Sequence, residues 1–415
     1  MINKQASKLL TEILGLEGVL VYSHQQYEGI GIILQIESIA SSAICNDCGQ
    51  KSSKLHQNHR YIVKDTSWGE QPIFLEINRR QFKCDRCKKP FSEDLDYINR
   101  RRKYTKRLAI AIIKEVLADS IHGVARKGIV TTEEIERMLK DASKELLDLK
   151  PLGLKRLGID EIALIKGQGN YCAVLVDLEK SELLAILASR KQEEIKKALL
   201  SWGLDVLEQI EEVSIDLWKG YKSLVIELMP NVQVVADRFH VMIQINKELD
   251  GSRKKEKREA EKIIKQTKLP EEKEKQENIL AGIKSSKYPL LKNEVNLTED
   301  QKIKLTEVKN VSPRLGIMHN LKEEFREIFD RHQSWLDGLD QIGMWLSKAK
   351  NYFPDSCGTV IRWLDEIIAY FDNRTTSGVV EGINNKLKLI KRSGYGFTNF
   401  ENFKVRCLLN WHFNI

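Results

Sequence analysis

Two aspartates in this chain each close an apolar run that reads as a strand: Asp160 in Leu157-Gly-Ile-Asp160-Glu161 and Asp216 in Val213-Ser-Ile-Asp216. Neighbouring strands that end in carboxylates bring both acids to one sheet edge. With a third acid, such a pair can hold two divalent metal ions roughly 3.5–4 Å apart, activating a nucleophile and stabilising the leaving oxygen of a phosphodiester. A lone Asp at a strand end more often caps a turn, so the pairing carries the expectation.

A second set of residues points to another metal. Cys45-Asn-Asp-Cys48 and Cys84-Asp-Arg-Cys87 are two matched Cys-x-x-Cys turns with 35 residues between them. Each turn presents two sulfurs to one ion, and four thiolates suit tetrahedral Zn2+. A shell of four sulfurs leaves no open position, so this zinc would be structural. Cys172, Cys357 and Cys407 fit no pattern and read as core fillers.

Between Lys51 and Ile110 there are 16 Lys and Arg against 7 Asp and Glu, a local surplus larger than the formal +8 of the whole chain. It peaks at Arg100, Arg101, Arg102, Lys103, Lys106 and Arg107, and a second basic stretch holds Lys386, Lys388, Lys391 and Arg392. Such patches favour a polyanion, above all nucleic acid, through phosphate neutralisation and counterion release. The mean hydropathy of −0.38 and the lack of any run of about 18 apolar residues exclude a membrane span. The opening segment lacks the pattern of a signal peptide, so the expectation is a cytoplasmic protein.

The elements that must position these groups follow from periodicity. The 415 residues exceed what one core usually serves. Residues 1–100 read as a β-rich, zinc-ribbon-like, DNA-binding module. Residues 101–150 turn helical: a first helix with Leu108, Ile112 and Val116 on one face, a break at Gly128, and a helix opened by the capping box Thr131 to Glu134. That order predicts a helix-turn-helix, although Glu133, Glu134 and Glu136 disfavour phosphate and point that helix toward protein. Residues 151–240 alternate as three strands, helix, strand, helix, strand, the order of a ribonuclease-H-like mixed-sheet core. Residues 241–370 read as an all-helical insertion, and 371–415 as the C-terminal part of the core. The fold class expected is thus multidomain α/β.

Longer motifs carry a resemblance. Ala236-Asp237-Arg238-Phe239-His240, then Thr375-Thr-Ser-Gly378-Val-Val-Glu381-Gly-Ile-Asn384-Asn385-Lys386-Leu-Lys388, and Lys391-Arg392-Ser-Gly-Tyr395-Gly396-Phe397 closely resemble the ISL-three family of bacterial insertion-sequence transposases. The cysteine pairs followed by Phe91-Ser-Glu93, Gly158-Ile-Asp160-Glu161 and Leu321-Lys-Glu-Glu-Phe-Arg-Glu-Ile-Phe329 sit in the expected order. The resemblance implies a DDE recombinase with Asp160, Asp216 and Glu381 as its catalytic and Mg2+ (or Mn2+) ligands. Asp237 competes with Asp216 for the second place. Asp216 is favoured because it ends the strand next to that of Asp160, which leaves Asp237 and His240 to orient the site. The expected partners are double-stranded DNA, as terminal inverted repeats and target, and further copies of the chain as a homodimer or higher oligomer in the nucleoid. Tyr395 and Phe397 read equally as base-stacking or core residues. The rival functions are a non-catalytic DNA-binding protein derived from a transposase and a metal-dependent nuclease without strand transfer.

Overall fold

A computed structural model describes residues 3–147, 150–163, 171–331, 334–375, 378–393 and 400–413. The motif positions Thr376, Ser377, Tyr395 and Phe397 lie outside the described residues. The chain divides into two units, Met1–Asp148 with Ile390–Ile415, and Leu149–Leu389.

The first unit opens with a helix that apolar periodicity in the β-rich reading does not reveal, α1 (Lys4–Leu14), capped by the Asn3 side chain on the Ala6 N–H. It packs on the strand β1 (Val19–Tyr27). That strand pairs with β2 (Gly31–Ser38), the short β3 (Ala43–Ile44) pairs with β4 (Lys51–Ser52), and β5 (Leu55–Trp68), β6 (Gln71–Lys83) and β7 (Pro90–Ser92) follow. The larger sheet runs β1-β2-β6-β5 with β7 on β6; only β2 and β6 are parallel. Alternation delivers Val63, Ile73, Leu75 and Ile77 to one face, where they meet Leu14, Val21, Leu34 and Ile36.

Three helices follow the sheet in the sequence: α2 (Lys106–Ala118), α3 (Ile121–Ala125) and α4 (Thr132–Leu147). The expected capping box is present, with Glu134 N–H donating to Thr131 Oγ1 at 3.3 Å and Thr131 N–H to Glu134 Oε2 at 3.0 Å. Their common core of Leu108, Ile112, Val116, Ile135 and Met138 also contains Leu409, from a helix at Phe400–His412. The stretch 371–415, expected as one piece of the catalytic core, is therefore split. Residues up to Leu389 belong to the second unit, while Phe400–His412 packs on α2 and α4 because Leu409 and Cys407 are fully buried there.

Buried ion pairs join these helices to the sheet. Asp65, at the heart of β5, accepts from Thr105 Oγ1 at 2.7 Å and from Arg107, whose Nε lies at 2.8 Å and whose Nη1 also donates to Leu14 O at 2.6 Å. Removing only the carboxylate strands a cation and a capping hydroxyl. With Arg107 about a third exposed, water offsets part of that cost, and Asp65→Ala is expected to destabilise by about 2–3 kcal/mol, read as an earlier urea midpoint.

The second unit is built on β8 (Arg156–Ala163), β9 (Tyr171–Asp177), β10 (Glu182–Leu187), α5 (Gln192–Trp202), α6 (Leu204–Leu207), β11 (Glu212–Ile215), α7 (Lys219–Leu228) and β12 (Gln233–Ala236). The sheet order is β10-β9-β8-β11-β12. β8, β9 and β10 are antiparallel neighbours, and β11 and β12 run parallel to β8, so the sheet is mixed as expected. β9 is buried from Cys172 to Asp177 and β11 along its whole length.

Among the described residues no strand follows β12. The helices are α8 (Arg238–Gln266), α9 (Pro270–Ile283), α10 (Lys287–Leu291), α11 (Glu299–Val311), α12 (Pro313–Arg331), α13 (Trp335–Ala349), α14 (Pro354–Arg362), α15 (Leu364–Asn373) and α16 (Gly378–Ser393). One continuous core runs from Leu157, Val213 and Ile215 through Val241 and Ile245 to Phe325, Trp345 and Phe371, so the helical stretch is packed onto the sheet rather than appended to it. Among the described residues no helix is long and apolar enough to cross a membrane.

Candidate functional site

β8, β11 and β12 run parallel side by side, and their register puts one acid from each strand, or from just past it, at the same level of the sheet. Asp160 lies on β8, Asp216 directly follows β11, and Asp237 directly follows β12. The Asp237 side chain accepts from Phe239 N–H at 2.8 Å, starting α8 and placing His240 in its first turn. His240 Nδ1 lies 2.8 Å from Asp216 Oδ1 and 2.9 Å from Asp237 Oδ2. One N–H cannot serve both carboxylates. It is aligned on Asp237, and Asp216 Oδ1 stays buried without a hydrogen bond.

The electrostatics follow from this crowding. Burial, then the neighbouring Asp216, raises Asp160 to about 7. Burial likewise raises Asp216, against the pull of His240. For His240 burial works downward, but the two carboxylates within 2.9 Å of its Nδ1, those of Asp216 and Asp237, carry it up to about 10. Two half-buried carboxylates with one unpartnered oxygen form an anionic pocket that fits a divalent cation. Ligand atoms of Asp160, Asp216 and His240 all lie within 4.8 Å of one another.

Glu381 lies outside that cluster, on the exposed side of α16. One turn further along, Asn384 Nδ2 donates to Asp160 Oδ2. The helix can come this close because β8 carries Gly158 there: a Cβ at that position would stand 3.2 Å from Val380 and 2.9 Å from Leu178. Sequence context alone assigns Asn384 no role; its one signal is its place three residues after Glu381 in the same motif.

The cysteines also converge. Cys45, Cys48, Cys84 and Cys87 place all four sulfurs within 4.8 Å, with Cys48 and Cys84 3.5 Å apart. The two turns match: Gly49 N–H bonds to Cys45 O at 2.8 Å, and Lys88 N–H to Cys84 O at 2.9 Å. The Cys87 N–H draws the Cys84 thiol down to about 7, while Cys87, hydrogen-bonded to Cys48, is pushed up to about 12. Four thiols this close share protons, a conflict that a thiophilic dication would remove.

A family model described as "Transposase", that of the ISL-three DDE group, matches residues 157–407. The chain belongs to this transposase family. A second model, described as "zinc-finger of transposase IS204/IS1001/IS1096/IS1165", matches residues 41–87 of the transposase and so spans all four cysteines. Among curated relatives, the transposase for insertion sequence element IS1001 of Bordetella parapertussis is 26% identical, covering 96% of this chain and 97% of its own. The transposase for element IS1557 of Mycobacterium tuberculosis is 24% identical over 85% of this chain and 82% of its own.

The basic residues of the transposase separate into two kinds. Arg102 is bound to Asp141 at 2.5 and 2.8 Å and Arg107 to Asp65, so these two guanidiniums hold α4 and α2 in place. Arg101, Lys103 and Lys106 are exposed, and Arg100 is exposed beside Asp94 at 3.4 Å. Glu134 pairs with Lys64 at 2.7 Å, which turns the first turn of α4 toward the protein, in keeping with its acids. On α16, Lys388 and Arg392 are exposed and Lys386 and Lys391 half-buried.

Proposed function

We propose that the transposase binds the terminal inverted repeats of its element, cuts there by metal-dependent hydrolysis, and joins the 3′ hydroxyl to target DNA. The observation that carries this reading is the juxtaposition of Asp160, within β8, and Asp216, just past the end of the adjacent parallel β11, with a buried Asp216 oxygen lacking a hydrogen bond. Strand order supports a ribonuclease-H-like core, with 151–240 and the α16 region contributing to it and 241–370 as a helical insertion. Asp160, Asp216 and Glu381 are the assigned catalytic and Mg2+ (or Mn2+) ligands. Bound ions would supply a nucleophile at neutral pH and stabilise the leaving oxygen. Asp237 fixes His240, whose charge offsets the crowded acids, and Asn384 fixes the rotamer of Asp160.

The cysteine cluster is assigned one structural Zn2+ in a DNA-binding module at 1–100. Helices α3 and α4, within 101–150, are assigned a helix-turn-helix that positions the module rather than inserting α4 among phosphates. Joining two element ends calls for at least two acid sites, hence a homodimer or higher oligomer on DNA, acting with the nucleoid in the cytoplasm.

The test is incubation with the DNA flanking its own gene and Mg2+. Nicks at the repeat ends followed by joined products are expected. Binding without nicks would leave a non-catalytic DNA-binding protein, and nicks without joined products a nuclease.

Salt dependence separates the two kinds of basic residue. Neutralising Arg100, Arg101, Lys103 or Lys106, and likewise Lys386, Lys388, Lys391 or Arg392, should flatten the slope of log K against log salt by roughly one for each phosphate left without its cation. Arg102→Gln and Arg107→Gln should instead lower stability, because each strands a buried or half-buried carboxylate. An unchanged slope across all the exposed positions would remove both patches from the DNA interface.

A further inference from the structure

The same sheet edge carries a second cluster that the acid chemistry does not use. Tyr171 opens β9 opposite Ala163, Arg190 follows β10, and Trp218 stands two residues after Asp216. The Arg190 guanidinium lies 4.8 Å from the centre of the Tyr171 ring and 5.9 Å from that of Trp218, both within cation–π range. Its Nη1 donates to Glu161 Oε2 at 2.9 Å, and Glu161 Oε1 accepts from the Tyr221 hydroxyl at 2.9 Å. The residue next to Asp160 thus anchors the cation.

Trp218 is equally fixed. It meets Tyr221 edge-on, with centroids 4.5 Å apart at 85°. Its ring folds over Gly220, where a Cβ would come within 2.7 Å of it, so only glycine permits that pose. Trp218 is thus held on several sides, yet it and Tyr171 each remain 39% exposed, and the Arg190 side chain 49%.

We propose that Tyr171, Arg190 and Trp218 form a binding platform for an unpaired DNA nucleotide next to the cut, the rings stacking on its base and Arg190 neutralising its phosphate. The proposal rests on the acid-site reading above. Half-open rings flanking a cation have the composition of a surface that stacks bases without reading their edges. A base inside a duplex has no free face, so the ligand is a nucleotide freed at the strand end.

The full-length protein, without added Mg2+, can be titrated by fluorescence anisotropy with two duplexes of the element end. One is fully paired; the other has the last three base pairs beside the cut mismatched. The parent should bind the mismatched end roughly tenfold more tightly, from the stacking of about one base. Trp218→Ala and Arg190→Gln should equalise the two affinities while keeping that for the paired duplex, and Trp218→Phe should retain most of the preference. Paired-duplex affinity doubles as the folding control, and Arg190→Gln and Trp218→Phe decide the matter if Trp218→Ala does not fold. Equal binding by the parent, or a preference that survives in Arg190→Gln and in whichever Trp218 variant folds, would overturn the platform. Cleavage of the paired duplex on adding Mg2+ reads the acid site separately. A parent that cuts but shows no preference overturns the platform alone, and one with a Trp218-dependent preference that never cuts overturns the acid-site reading alone.

Discussion

Asp160→Asn and Asp216→Asn are each expected to abolish DNA cleavage, by roughly a thousandfold or more, while affinity for the element ends stays within about a factor of two. Asparagine keeps the shape of the side chain but removes the anionic oxygens a hard dication needs. Stability without metal should hold or rise, because burial and the neighbouring carboxylate already push Asp160 up to about 7 and its charge is a liability there. Asp237→Asn should behave differently. The amide oxygen can still cap α8 at Phe239, so the fold survives, but the charge facing His240 is lost and the His240 ring is freed toward Asp216. About a 10- to 100-fold loss fits a residue that orients ligands without being one. The measurement is cleavage by the three variants side by side across a magnesium titration. Cutting that magnesium rescues in Asp216→Asn, together with none in Asp237→Asn, would exchange their roles. Normal cutting by Glu381→Gln would take Glu381 out of the ligand set.

Cys84→Ser is expected to release the zinc and unfold the cysteine end of the first unit, with DNA affinity falling to the non-specific range. Zinc bound by four thiolates contributes about 10–16 kcal/mol to the folding of small metal modules, as much as or more than the whole stability of a typical domain. Cys84 directly follows β6, whose end also receives Ser52 Oγ donating to Lys83 O at 2.7 Å and gives the Lys83 N–H to Lys54 O at 2.8 Å. Metal analysis should find about one zinc per chain in the parent and none in the variant. Hydrogen exchange should show lower protection at the cysteine ends of β5 and β6, with β8, β9 and β11 unchanged. Zinc-free protein with full affinity for the element ends would rule the assignment out.

The cysteine pairs and the acid pair are legible because their chemistry is local: a Cys-x-x-Cys turn or an apolar run ending in Asp carries its meaning within a few residues. The hydrogen bond between Asn384 and Asp160 bridges 224 positions, and no periodicity reports it. Helix α16 is hidden by composition, since Gly378, Gly382, Asn384 and Asn385 are poor helix formers. Its signal is the spacing of Val380, Ile383, Leu387 and Ile390, all buried, whose packing overrides propensity. Charge pattern alone does not reveal the ion pairs of Arg102 and Arg107, because Asp141 and Asp65, their partners, are 39 and 42 residues away. The place of Phe400–His412 is hidden for the same reason: its amphipathic pattern declares a helix but not which core receives it.

That last helix sets the order in which the protein can mature on the ribosome. The cluster of Leu108, Ile112, Val116 and Met138 is closed by Leu409, and Arg406 donates to the carbonyls of Leu117 and Asp119 where α2 ends. Everything from Leu149 to Leu389 must be translated in between, a delay on the order of tens of seconds at bacterial rates. Throughout that interval the nascent chain carries an uncovered apolar flank on α2 and α4, the kind of surface that holding chaperones bind. A chain interrupted before Phe400 would keep that flank permanently, which makes truncated copies candidates for rapid proteolysis rather than for stable occupancy of the element's ends.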